Sequence, residues 1–529
     1  MVRAATLAVF AITWIFRWLT IDFTNDHFVH LSRARQILLG ELPVRDFFDP
    51  GLPLHYFASA AALSVSGQNL LGEALLTVTL VALGAALTFF LAARSSQSVV
   101  LALVATFVAV AMFPRLYNYP KVFLYPLALV CVWHYTARRT TAALVMLAVV
   151  TATATLFRLD HGLYIAFSVA IALVLADLDR TRVAAATVAR FAAIVMVLLL
   201  PFLLFVQLTA GIPAFLADIR QQTSSVTAAR MLSMPLTFEQ LVTPTNALAW
   251  LYYTTILLPV AALALLLLQW RRGTLDLRER ATIGAAIVMC LVIDQALMRE
   301  SPDSRLPDVA GPTVLLAAWM TGTVLRVAQR RTQLVAGTAA SFLWLATLWS
   351  ATTFGEISER LSATGLPGGT AATAERFSRV SAWMRMRPID YYAPPGSTGV
   401  RALTRYVLEC TRPSDRILAG SFEPQIFFYS ERAFAGGQVY LKGGWHESRE
   451  AQQLTIARMQ RQRVPMVIVN AATEPEVQTR FPLVYEYVRD NYREAARQNF
   501  GGGPDYAIFV KRDLPLRGTD PSLGLPCYR

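Results

Sequence analysis

The sequence predicts an all-α polytopic membrane bundle of roughly eleven transmembrane helices, with interfacial helices and a small C-terminal extracytoplasmic α/β domain. Three observations predict it. The 529 residues are 55% hydrophobic and only 16% charged, with a mean hydropathy of +0.44, too apolar for a chain whose main solvent is water. Apolar runs of membrane-spanning or nearly spanning length recur from the N-terminus to Ala351. Between them, basic residues crowd into alternate loops, as the retention of Lys and Arg on the cytoplasmic side requires.

The runs are Ala4–Ile21, Leu70–Ala93, Val99–Phe113, Val122–Tyr135, Ala142–Phe157, Gly162–Ala176, Phe191–Leu208, Trp250–Leu268, Ala281–Met298, Val309–Leu325 and Leu334–Ala351. The first reads as a membrane helix rather than a signal peptide, because it lacks a small-residue cleavage site and many similar runs follow. Val99–Phe113, Val122–Tyr135 and Gly162–Ala176 fall short of the roughly 20 residues a full span needs. Such helices are expected to stop below the membrane surface and leave room for a cavity.

Arg3 marks a cytoplasmic N-terminus, and Arg94, Arg138–Arg139, Arg180–Arg182, Arg271–Arg272 with Arg278–Arg280, and Arg330–Arg331 then all fall inside. Much of the net charge of +13 is spent there, so nucleic acid is not an expected partner and membrane lipid is. The opposite loops face outward: Asp22–Pro53, PRLYNYPK ending at Lys121, FRLDHG around Asp160, Gly211–Ala249 and RESPDSRLPD. An odd number of spans places the C-terminal tail outside as well.

That organisation predicts a transmembrane domain over residues 1–352, a linker and juxtamembrane segment over 353–396, and an extracytoplasmic α/β domain over 397–529. The Pro394–Gly396 stretch reads as linker. Beyond it RILAGS, PQIFFYSE, the helix-like Gln452–Arg463, VPMVIVN, the amphipathic Leu483–Arg493 and DYAIFVKR alternate as strand and helix. No Gly-rich phosphate loop of recognised spacing occurs, so no chemistry is assigned to this domain. The four cysteines form no CxxC or Cys/His cluster. Cys131 and Cys290 lie in apolar runs; Cys410 and Cys527 lie in the tail, either paired in an oxidising compartment or free.

The first outward loop, DFTNDHFVHLSRARQILLGELPVRDFFDPGLPLHYF, lays out as a short helix capped by Thr24 or Asn25 and ending near Gly40. Phe28, Leu31, Ala34 and Leu38 share one side, and Asp26, His30 and Arg33 fall opposite at i, i+4 and i+7. An interfacial helix of this kind would lie on the membrane and point Asp26 at the cavity. By residue type alone, Asp26 also reads as a first-turn acid favoured by the helix dipole.

Asp26, the helix ARQILLGE, the stretch PVRDFFDPGLPLHY and the apolar run after it resemble the first extracytoplasmic loop of the glycosyltransferase C superfamily. The resemblance is to the branch that holds the protein O-mannosyltransferases and the lipid A aminoarabinose transferases. That family pairs two acids at the key position, whereas here His27 follows Asp26. The resemblance implies inverting transfer of a sugar from a polyprenyl-phosphate-linked donor to a glycan, lipid or protein acceptor on the outer side of a bacterial inner membrane. It implies Asp26 as base, accepting the acceptor hydroxyl's proton, with Asp46 and Asp49 assisting acceptor or metal.

A departing lipid phosphate needs cations in a partly desolvated pocket. Lys121, Arg158 and Arg305 are the candidates, with Arg115 and Arg299 at further outward helix ends. Lys121 and Arg158 directly abut membrane runs, where a charge is costly and commonly functional, although helix ends also tolerate snorkelling cations. Asp160 and His161 follow Arg158 and are candidates for the pocket with His30 and Tyr117; Asp160 alternatively only neutralises Arg158. Asp303, Arg305 and Asp308 read either as a salt-bridge network or as a solvated loop. No cofactor is required by these residues, and a divalent metal on Asp26 or Asp160 stays open. The rival from another class is a transporter or flippase of polyprenyl-linked sugars, which calls for charges along the cytoplasmic half and internal repeats; neither is seen.

Overall fold

The structure, a computed structural model, describes residues 1–220, 243–298, 302–327, 330–391, 398–501 and 504–528. Arg299, the Pro394–Gly396 linker and the greater part of the Gly211–Ala249 loop lie outside the described residues. Every predicted run is helical: α1 (Val2–Leu19), α4 (Leu71–Ser96), α5 (Val99–Ala111), α6 (Tyr119–Arg138), α7 (Thr141–Phe157), α8 (Leu159–Ala176), α9 (Thr181–Thr209), α10 (Pro244–Arg271), α11 (Leu277–Leu297), α12 (Pro302–Val327) and α13 (Arg330–Phe354). Among the described residues eight of these are long and apolar enough to cross a membrane; α5 and α7 are shorter apolar helices. The chain is therefore a multi-pass membrane protein.

Local chemistry sets the helix ends. Ser98, Thr140, Thr243 and Asp276 each cap a helix by accepting a backbone N–H of its first turn with the side-chain oxygen. Pro120 opens α6, and Arg139 closes it in the left-handed region. Gly84 of α4 lies so near the Val122 carbonyl of α6 that a Cβ there would stand 2.3 Å from the oxygen. Only glycine lets these two helices approach so closely.

The chain divides into two compact units. The first comprises Met1–Asp22, Leu75–Leu203 and Thr227–Val380, and its core runs through Phe89, Leu129, Leu173, Ile287 and Trp319, all buried. The second comprises Phe23–Ala74, Leu204–Val226 and Ser381–Arg529. It is built on a five-stranded sheet of order β2-β1-β3-β5-β4, with β1 Arg416–Ala419, β2 Ala433–Phe434, β3 Met466–Asn470, β4 Tyr492–Gln498 and β5 Tyr506–Lys511. β1 runs parallel to β2 and β3, and β5 pairs antiparallel with both β3 and β4. A two-residue pair, β6 (Gly518–Thr519) and β7 (Pro526–Cys527), follows, and Cys527 is disulfide-bonded to Cys410.

Two further helices, α2 (Asn25–Leu38) and α3 (Pro53–Ser66), belong to this second unit. The expected division of α2 into an apolar and a polar side does not describe its surroundings. His27, Phe28, Val29, His30, Leu31, Ser32, Arg33, Ala34 and Gln36 are all buried, which takes in every side of the helix. The reason is the C-terminal domain. Ser32 donates to the Pro424 carbonyl at 3.0 Å and Gln36 to the Phe434 carbonyl at 2.9 Å. Arg416 of β1 donates to Gln36 Oε1 at 3.0 Å and pairs with Glu41 at 2.6 Å. Phe28 packs on Phe428 and Tyr429, with ring centroids 5.6 and 5.1 Å away.

Candidate functional site

In the first unit the N-terminal parts of α6, α8 and α12 bring together groups that the sequence scatters. Lys121 on the first turn of α6 is buried, and its Nζ donates to Asp308 Oδ2 of α12 at 2.8 Å. Arg158, between α7 and α8, pairs through Nε with Asp160 Oδ1 at 2.9 Å. That oxygen also accepts the His161 backbone N–H, and His161 Nε2 stands 3.8 Å from it. Nδ1 of His161 hydrogen-bonds the Tyr125 hydroxyl. The charges of Arg158 and Arg305 act on Lys121, and all three cations act on His161. Asp308 is thus buried and paired with Lys121, rather than part of a solvated loop.

Lys121, Arg158 and Arg305 are cations of the kind suited to a phosphate. Beside the Lys121–Asp308 pair lies a narrow cleft of about 30 Å³, room for a water or two. Its walls are largely apolar or small, with Val81, Gly84, Ala85, Ala109, Val110 and Ala310 among them. It lies at the end of α5, the shortest apolar helix, where a cavity was expected. Arg17 of α1 also lines it. No sequence expectation named Arg17; the available signal was a lone guanidinium inside the opening apolar run. Tyr117, in the turn before α6, accepts a hydrogen bond from Arg115 Nη1 at 3.1 Å.

The remaining candidates lie in the second unit. Asp26 stands half-buried in the first turn of α2. His27 beside it is fully buried, with Nε2 2.8 Å from Glu73 Oε1, an oxygen that also accepts from Ser59 Oγ at 3.1 Å. The acidic partner of His27 is thus Glu73, 46 residues further along the chain. His30 is buried and stacks on His55, with ring centroids 3.9 Å apart. Arg33 donates to the Tyr56 hydroxyl at 2.8 Å. Burial pushes the Tyr440 hydroxyl up to about 12; Arg33 opposes the rise and Asp26 adds to it, so a C-terminal-domain side chain shares the field around Asp26.

Asp46 accepts the Leu42 N–H at 2.8 Å and pairs with Arg45 at 2.7 Å. Burial raises the Asp46 carboxyl, but those hydrogen bonds and the charges of Arg45 and Arg458 outweigh it and hold the group below its ordinary value. Its carboxylate is thus engaged in shaping its own loop. Asp49 is buried and accepts the Gly51 and Leu52 N–H groups, each at 2.9 Å. Burial raises this carboxyl above its ordinary value despite those bonds and the Arg33 charge.

Among the described residues no three His, Cys, Asp or Glu side chains are placed to hold a metal ion. Asp26 and Asp160 belong to different units, and Asp160 is taken up by Arg158 and the His161 backbone.

The fold is thus a helical bundle of membrane spans together with a small sheet domain. ArnT from Cupriavidus metallidurans, in its crystal structure bound to undecaprenyl phosphate, has a similar fold. The two chains align over 96% of this one and 97% of that one with 14% identity and a TM-score of 0.53. The apo crystal structure of ArnT aligns over the same shares with 13% identity and a TM-score of 0.48. No protein-family model and no curated protein matches the sequence.

Proposed function

We propose that this protein transfers a sugar from a polyprenyl-phosphate-linked donor to a glycan, lipid or protein acceptor on the outer side of a bacterial inner membrane, with inversion at the anomeric carbon. The observation that carries this reading is the convergence of Lys121, Arg158 and Arg305 beside an apolar-walled cleft within a membrane-spanning unit. The shared fold with a protein solved bound to undecaprenyl phosphate supports it. The Cys410–Cys527 disulfide supports an extracytoplasmic C-terminal domain, because such bonds persist where the medium is oxidising.

In this reading Asp26 accepts the proton of the acceptor hydroxyl as its oxygen bonds to the anomeric carbon. The bond from that carbon to the phosphate oxygen breaks, and its electron pair leaves with the lipid phosphate. Lys121, Arg158 and Arg305 hold the phosphate and offset the charge it gains. A single displacement inverts the anomeric centre and forms no covalent enzyme intermediate. His30, Asp49, Tyr117, Asp160 and His161 shape the surrounding pockets rather than exchange protons with substrate.

The test is purified protein incubated with radiolabelled polyprenyl-phosphate sugars and envelope extract. Asp26→Asn is expected to cut transfer by about 100-fold or more, the usual worth of a positioned base. Transfer at an undiminished rate in that variant would remove Asp26 from the mechanism.

A further inference from the structure

We infer that Arg17 is a second anion-holding group of the cleft beside Lys121, and that its partner is the phosphate of a prenyl-type lipid. The identity of that lipid rests on the function proposed above; the need for an anion does not.

Arg17 is 2% exposed, inside the membrane-spanning α1. One of its nitrogens, Nη2, donates to the Pro114 carbonyl at 2.8 Å. Nε and Nη1 are buried and have no hydrogen-bond partner among the described residues. Its guanidinium lies 3.7 Å from the centroid of the Phe113 ring. Arg360 lies 3.6 Å from the same centroid, and two guanidiniums that close fit only on opposite faces. Arg360 has Glu356 at 3.4 Å, whereas no described carboxylate comes within ion-pair distance of Arg17. The charges that act on Arg17 from further away are Arg360, which opposes it, and Asp22.

A guanidinium withdrawn from water with two unsatisfied donors and a like charge nearby is an incomplete arrangement. Arg17 lines the cleft, so a bound group can complete it. Lys121 on the same wall already has Asp308 as counter-ion, whereas Arg17 lines the cleft with no described carboxylate at ion-pair distance. The complement of such donors is an oxyanion. Walls of Val, Ala and Gly within a membrane-spanning unit favour an anion that carries hydrocarbon over a freely soluble one. At about 30 Å³ the cleft is too narrow for a phosphate or a prenyl chain as it stands, so entry requires its walls to part.

The experiment is a binding titration of the full-length protein in detergent with undecaprenyl monophosphate and, in parallel, with undecaprenol, which shares the chain and lacks the charge. Arg17→Met is expected to weaken the phosphate lipid at least tenfold and to leave the alcohol unchanged. Arg17→Lys, which keeps the charge, is expected to fall between wild type and Arg17→Met, and it carries the test if the methionine variant does not fold. Equal phosphate binding by wild type and both variants overturns the role of Arg17 and leaves the transferase reading intact. Equal weakening of both lipids also overturns it, because Arg17 would then only shape the cleft. A wild type that fails to prefer the phosphate over the alcohol sinks the transferase reading first, and this inference with it.

Discussion

Asp49 accepts two backbone N–H groups at the start of α3, yet burial still raises its carboxyl above the ordinary value. A carboxyl that binds its proton more tightly folded than unfolded favours the fold below the unfolded pKa, and that contribution is lost as pH rises through the folded pKa. Asn keeps an oxygen for both N–H groups and cannot ionise. Asp49→Asn is therefore expected to lose less thermal stability than wild type between pH 4 and pH 8, measured by unfolding in detergent; identical losses would show that Asp49 ionises without penalty. At this scale the sequence signals cations at membrane edges, because a charge abutting an apolar run is costly wherever it points. Lys121 and Arg158 were found that way. Asp160, two residues on, was legible as a neutraliser of Arg158, but Asp308 was not named as the partner of Lys121, from which it lies 187 residues away. Arg17 went unnoticed because its significance depends on which donors stay unpaired, and that is a property of the packed structure.

Among the elements, α2 departs most from its pattern. Its hydrophobic spacing describes a helix with one face to cover, but the C-terminal domain also buries its polar side chains, through partners 392 and 398 residues away at Pro424 and Phe434. Arg416 is the centre of this clasp, bonded to both Gln36 and Glu41. Removing it with Arg416→Met is expected to cost about 1.5–3 kcal/mol, the range for hydrogen bonds to charged groups, and to speed amide exchange in α2 about tenfold or more while β3 and β5 keep their protection. Unchanged exchange in α2 would show that the clasp does not hold that helix. The strand β4 was missed for a related reason. Its residues, YREAARQ, include good helix formers and follow a helix without a break. Pairing with β5 overrides that preference, and the charged, exposed side chains suit an edge strand.

For the whole molecule, the sequence order of the units matters: the second draws on an early segment, a middle segment and the C-terminus. Its C-terminal end is tied back by the Cys410–Cys527 disulfide, which spans 117 residues. Unfolded chains gain much freedom when so long a loop is opened, so Cys410→Ser with Cys527→Ser is expected to cost about 2–4 kcal/mol. Thiol titration of the denatured wild type should find only Cys131 and Cys290 before reduction and all four cysteines after it. Four reactive thiols without reductant would count against an oxidising location.

The membrane class, the succession of apolar helices and the cations at their ends follow from the sequence alone. Partition between lipid and water is decided segment by segment, from local composition. The Lys121–Asp308 pair, the burial of α2 under the sheet, the Glu73 partner of His27 and the unsatisfied donors of Arg17 were settled only by tertiary structure. Each is a relation between groups distant along the chain or on separate elements, where distance and desolvation set the energy and local composition carries no record of either.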